Sequence, residues 1–311
     1  MPVAHASDGL GSIRHGAAPC GLVGLKPSRG RNVGDEAMRA ISDLGVNGCV
    51  SRTVRDTAAW LEATQTRAPG AAFAPVPLVT RPIEGSLRIH AYSDIMRTGA
   101  APDASVARVF ADTIALMERL SHSVSDATLP FDGPSAIAVL HNITEGTFSR
   151  KLALLAQKLG VEVHLGDLEY RSRTLAEAGN RIDDAHYASA WQKADEMVAA
   201  YLRRLDEIDI WMTPTLGTEP VRVGVFSPDG AWLDQRDHLV DYAGYCWIDN
   251  FAGTPSISLP MGFSDKGLPI GVQFAACPGG EALLLALAYQ IEAAIEWGRR
   301  TPPIWFGGAS G

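Results

Sequence analysis

Apolar residues at Val54, Ala58 and Leu61 recur at helical spacing and predict a helix over 52–64. A second helix follows Asp103, a good N-cap, with Val106, Phe110, Ile114, Met117 and Leu120 on one face. Residues 135–159 read as helical, and Trp191, Ala194, Val198, Leu202 and Leu205 stripe another long helix. Between them, 160–181 fits neither period.

The strand signals are shorter. The apolar run 20–25 is stopped by Lys26-Pro27, and 87–92 alternates apolar and polar positions. Further strands are expected at 124–126, at 208–212 running into Thr213-Pro214-Thr215, at 256–260 and at 270–276. A turn at Asp265-Lys266-Gly267 joins the last two, and a helix over 281–296 follows. Residues 217–240 show no period and read either as a loop over a substrate or as an insertion without a role. Strands alternating with helices predict an α/β fold, a mixed β-sheet flanked by helices, with no composition break to mark a second domain.

Composition narrows the function. The 311 residues are 46% hydrophobic and 20% charged, with a formal net charge of −8. Nucleic acid is an unexpected partner, because phosphate binding needs a basic face and no Lys/Arg cluster stands out. Arg29 and Arg31 are better read as a solvated loop or a structural ion pair. Cys20, Cys49, Cys246 and Cys277 lack CxxC spacing, and the histidines lack ligand spacing, so no metal is expected. The cysteines read as small buried hydrophobes of a reducing compartment. No basic n-region followed by an apolar core opens the sequence, and no apolar run reaches membrane-spanning length. A cytoplasmic protein is the expectation.

The candidate chemistry lies at Asp8-Gly9-Leu10-Gly11-Ser12-Ile13-Arg14. Glycines let the backbone turn sharply and expose consecutive N–H groups, the arrangement an acyl-transfer nucleophile needs beside an oxyanion hole. Asp8 and Arg14 flank the loop with opposite charges and read as its brace. A Gly/Ser turn without chemistry is the competing reading. The loop is no Walker A element, since no G-K-[ST] follows. It is no dinucleotide fingerprint either, since it lacks the third glycine and no strand-length run precedes it.

The same loop, followed by Cys20-Gly21-Leu22-Val23-Gly24-Leu25-Lys26-Pro27-Ser28-Arg29-Gly30-Arg31, resembles the second half of the signature of the amidase signature hydrolases. The resemblance continues through Asp209-Ile210-Trp211-Met212-Thr213-Pro214-Thr215, through 250–260 and through 267–273. Within the family the wording is most similar to the branch that includes 6-aminohexanoate cyclic dimer hydrolases. It implies hydrolysis of small-molecule amides, linear or cyclic, without metal or organic cofactor. A lysine and a cis-peptide serine would relay the proton of the nucleophile, which by motif is Ser12, with the backbone N–H groups of Gly9, Leu10, Gly11 and Ser12 as oxyanion donors.

That cis-serine and lysine belong to a segment that would precede Met1. The chain, 1–311, is therefore expected to be the C-terminal two-thirds of a single amidase domain, lacking its N-terminal portion and starting within the signature. Lys26 matches the family's GLKP lysine, which is not the catalytic one, and none of Lys151, Lys158, Lys193 and Lys266 has a motif placing it near Ser12. His5 and His15 are near Ser12 in sequence, and a Ser–His pair is chemically conceivable. Leu10 stands where the family has a small residue, and would be strained if that position needs φ > 0. His15-Gly16 replaces an apolar residue and proline. A catalytically inactive fragment or pseudoenzyme is the alternative to an amide hydrolase. Edges left without their neighbours predict self-association into a homo-oligomer or low solubility. Thr213, Thr215, Tyr245 and Trp247 are the expected substrate-pocket contacts, with ordinary core packing as the alternative reading of each.

Overall fold

The computed structural model describes residues 2–35 and 44–301. Eight strands form one mixed sheet in the order β1-β3-β2-β7-β8-β6-β4-β5. These are β1 (Val3–Asp8), β2 (Val23–Lys26), β3 (Val46–Ser51), β4 (Arg88–Ala91), β5 (Ser123–Asp126), β6 (Ile210–Pro214), β7 (Ser256–Phe263) and β8 (Pro269–Ala275). The β4/β5 and β4/β6 pairs are parallel; the other five neighbouring pairs are antiparallel.

Side-chain alternation along the strands divides the core into two. Ile210, Met212 and Phe274 point into one cluster while Trp211 and Ala275 point into the other, as the two-residue period requires. Helices α2 (Val54–Thr64), α3 (Ala104–Arg119) and α9 (Glu281–Ile295) fill the first face. Helices α4 (Gly133–Leu159), α6 (Asp184–Asp206) and α8 (Trp247–Ala252) fill the second. Side-chain caps start three of the long helices. Asp103, Asp132 and Asp183 accept from the N–H groups of Ser105, Ser135 and His186, satisfying donors that a helix start leaves orphaned. Two more helices, α5 (Tyr170–Gly179) and α7 (Trp232–Ala243), lie over the second face, and the short α1 (Ser12–Ala17) sits on β2. That packing is close: a Cβ on Gly24 would come within 2.6 Å of Ala17 Cβ and 3.0 Å of the Ile13 carbonyl oxygen.

Several expectations are corrected. The Ser12 loop does follow a strand, β1, which pairs along its whole length with β3; neither strand was expected. The 160–181 stretch contains α5, and residues 232–243 of the supposed irregular excursion form α7. Tyr245, expected on one helix with Trp247, lies just ahead of α8, which begins at Trp247. Of the cysteines, Cys49 and Cys246 are buried, but Cys20 is exposed. The structural-pair reading of the two arginines, by contrast, agrees with the fold: Arg31 and Glu281 form a buried ion pair, and Arg29 donates to the carbonyls of Asn250 and Phe251. Among the described residues no helix is long and apolar enough to cross a membrane, and no group of three or more His, Cys, Asp or Glu side chains could hold a metal ion.

Candidate active site

Strand β1 ends at Asp8, and the chain turns through Gly9, Leu10 and Gly11 into α1. The turn is tied to Asp8 by local bonds. The Gly11 N–H donates to Asp8 Oδ1 at 2.6 Å and the Ile13 N–H to Asp8 Oδ2 at 3.2 Å. Gly11 adopts φ 131°, a left-handed value that favours glycine. A Cβ there would fall 2.2 Å from His15 Cε1 and 2.8 Å from Cys246 Cβ. Within the loop from Asp8 to Arg14 positive φ is confined to Gly11, so Leu10 carries none of the strain that a φ > 0 position would impose.

The Asp8–Arg14 brace is present and larger than expected. Arg14 Nε donates to Asp8 Oδ2 at 3.0 Å and Nη2 to Asp8 Oδ1 at 3.1 Å, a two-pronged contact with both residues fully buried. Nη2 also reaches Asn250 Oδ1 at 2.6 Å, and Nη1 lies 2.9 Å from Asp249 Oδ2 and 2.8 Å from Gln273 Oε1. The Asn250 amide donates back to Asp8 at both its carbonyl and its Oδ1. Burial alone would raise the Asp8 carboxyl; the Arg14 charge and hydrogen bonds outweigh it and hold Asp8 well below the usual carboxylate range. Lys26 is also fully buried, donating to the Pro27 carbonyl at 3.0 Å. Burial and then the Arg14 charge push its ammonium down to about 8.

Ser12, the first residue of α1, is exposed at the junction of two cavities. The larger, about 540 Å³, is walled by Leu10, Ile143, Phe148, Leu152 and Leu175, with Lys151 from α4 also on its wall. The smaller, about 220 Å³, is walled by His15, His141, Trp232, Val240 and Trp247. Leu10, Ser12 and Thr144 border both.

Of the residues expected at the site, Gly9, Leu10, Ser12 and Trp247 reach these cavities. Gly11 stays behind Ser12, and its N–H is held by Asp8, which removes it from the expected oxyanion donors. Thr213, Thr215 and Tyr245 line neither cavity. Each is buried and already bonded, Thr213 to the Pro214 carbonyl, Thr215 to Ser258 Oγ at 2.8 Å, and Tyr245 to the Ser93 carbonyl at 2.7 Å. The sequence reading missed the walls from α4, α5 and α7, and with them Lys151, which the fold brings to the same space as Ser12. Nothing in its local motif signals that; only the packing of α4 does.

The amidase family profile matches residues 1–285. The chain belongs to the amidase family. AmiC of Mycobacterium leprae is 32% identical over 311 residues, spanning 96% of this chain and 63% of that protein. The 6-aminohexanoate-cyclic-dimer hydrolase of Paenarthrobacter ureafaciens is 30% identical over 324 residues, spanning 97% of this chain and 65% of that protein. A solved structure of a 6-aminohexanoate cyclic dimer hydrolase complexed with substrate superposes with a TM-score of 0.82 at 27% identity, covering 97% of this chain and 66% of that one. The chain thus spans less than two thirds of the length of these curated relatives.

Proposed function

We propose that this chain carries the acyl-accepting half of an amide hydrolase, with Ser12 as nucleophile and a small-molecule amide as substrate. The observation that carries the reading is Ser12 itself, an exposed hydroxyl at the meeting of two cavities, on a loop that a buried ion pair holds in place. Ser12 Oγ attacks the amide carbonyl carbon as its proton passes to a base. The N–H groups of Gly9, Leu10 and Ser12 receive the oxyanion, with α1 adding the positive end of one short helical turn. Collapse breaks the C–N bond, the leaving nitrogen takes the proton, and water then releases the acid from the Ser12 ester.

The base is the part of the reaction that the 8–14 loop does not itself supply. The family resemblance assigns it to a serine–lysine relay, and Lys151 is the lysine of this chain that shares a cavity with Ser12. The net charge of −8 favours a small-molecule substrate over nucleic acid. Exposed Leu154, Leu155 and Leu159 near the end of α4 support self-association.

Reaction with a fluorophosphonate tests the nucleophile. Labelling of the peptide containing Ser12, abolished in Ser12→Ala, is expected. A folded protein that takes the label elsewhere, or not at all, overturns the hydrolase reading in favour of a chain that binds amides without cleaving them.

A further inference from the structure

Helix α4 turns one stripe of its surface to the two cavities at Ser12. Leu140 and His141 line the smaller cavity, Thr147 and Phe148 line the larger, and Thr144, one turn from each pair, lines both. Among the described residues only Leu10, Ser12 and Thr144 border both spaces, and of these only Ser12 and Thr144 have polar side chains. A substrate that fills both cavities with its scissile carbonyl at Ser12 passes Thr144.

The Thr144 hydroxyl is available to it. A threonine within a helix commonly returns its hydroxyl to the carbonyl one turn back, as Thr113 on α3 does to Val109 at 2.7 Å. Thr147 spends its own on the Tyr187 hydroxyl, also at 2.7 Å. Thr144 does neither; its side chain makes no hydrogen bond among the described residues. The residue is half-buried, and its oxygen is not one of the buried polar atoms without a partner, so it keeps accessible surface.

Amide geometry gives that oxygen a role. A trans amide points its C=O and its N–H in opposite directions. With the carbonyl oxygen among the N–H groups of Gly9, Leu10 and Ser12, the N–H of the scissile nitrogen points away from the loop, toward the wall that α4 supplies. We propose that Thr144 Oγ1 accepts a hydrogen bond from the N–H of the scissile amide, and so selects amides that keep a hydrogen on that nitrogen over tertiary amides and esters. A hydroxyl can accept in this way while its own hydrogen turns aside. The inference rests on the junction at Ser12 being the substrate site and adds which substituents the scissile nitrogen can carry.

Binding separates this from the nucleophile question. In Ser12→Ala, which cannot be acylated at position 12, N-methylhexanamide and methyl hexanoate are titrated by ligand-observed NMR. The two share a carbonyl and an overall shape but differ by an N–H against an oxygen. Adding Thr144→Val, which keeps the volume of the side chain, should weaken the amide about tenfold and move the ester by less than about threefold. Thr144→Ser, which keeps the hydroxyl, should hold the amide within about threefold of the parent. Equal weakening of both ligands by Thr144→Val, or an amide affinity that does not fall, overturns the inference. So does an amide affinity lost in a cooperatively melting Thr144→Ser. Binding of neither ligand to Ser12→Ala overturns the substrate site and the inference with it. None of these results depends on whether Ser12 takes a fluorophosphonate.

Discussion

Two regions meet at Ser12 and are held by opposite means. The loop from Asp8 to Arg14 is fixed by charge, with Asp8 and Arg14 fully buried and each donor matched to a named acceptor. The wall from α4 and α5 is fixed by packing, with apolar side chains of ordinary chemistry lining the cavity. The loop's geometry depends on each residue being what it is. The wall depends on volume and apolarity, so it can be remodelled without disturbing the hydroxyl it faces.

The sharpest way to break that comparison is Arg14→Met. Removing one partner of a buried ion pair leaves Asp8 uncompensated and should cost about 3–5 kcal/mol in urea unfolding. A loss below about 1 kcal/mol would show that the brace is ornamental.

Lys26 comes next. Its folded-state value of about 8 lies below the ordinary 10.5, so between those values the unfolded chain holds the proton that the folded one has released. Stability should therefore rise as pH climbs from about 8 to 10.5, by about 3 kcal/mol from this group at roughly 1.4 kcal/mol per unit. The urea midpoint of Lys26→Met should lack that rise. Parallel curves for the two proteins would contradict the burial argument.

Gly11→Ala follows, because position 11 combines φ 131° with contacts that a Cβ would breach. About 1–3 kcal/mol of strain is expected, together with slower fluorophosphonate labelling of Ser12. Smallest in stability is Phe148→Ala on the half-buried wall, which should move the preferred acyl length of phosphonate probes while leaving the labelling rate with a short probe within about threefold. A variant that abolished labelling with every probe would merge the two regions into one.

The same contrast explains what could be read from sequence. The bonds between Asp8 and the rest of its own loop join residues three to six apart, so Asp8, Gly11, Ser12 and Arg14 are visible together in one stretch. The ties of Arg14 to Asp249, Asn250 and Gln273, by contrast, cross more than 230 residues and are reported only by the fold. The walls join residues 10 and 12 to 140–175 and 232–247, and only the fold reports which face of α4 is turned to Ser12. Strand β1, Val-Ala-His-Ala-Ser-Asp, offers little alternation of large apolar residues, and β3 is interrupted at Gly48, where a Cβ would meet the Leu25 carbonyl at 2.4 Å. Helix α7 buries only Trp232, so its polar sequence resembled a loop. Thr213 and Thr215 belong to a motif, but their hydroxyls are consumed within the sheet region.

The central claim is that Ser12 Oγ forms a covalent acyl ester. Mass spectrometry of acid-quenched protein after brief exposure to an activated anilide reads it directly. The account predicts an acyl mass increment on the peptide bearing Ser12, with the aniline released in equal amount. Aniline release at an undiminished rate from Ser12→Ala, or an acyl group mapped to any other residue, would contradict it.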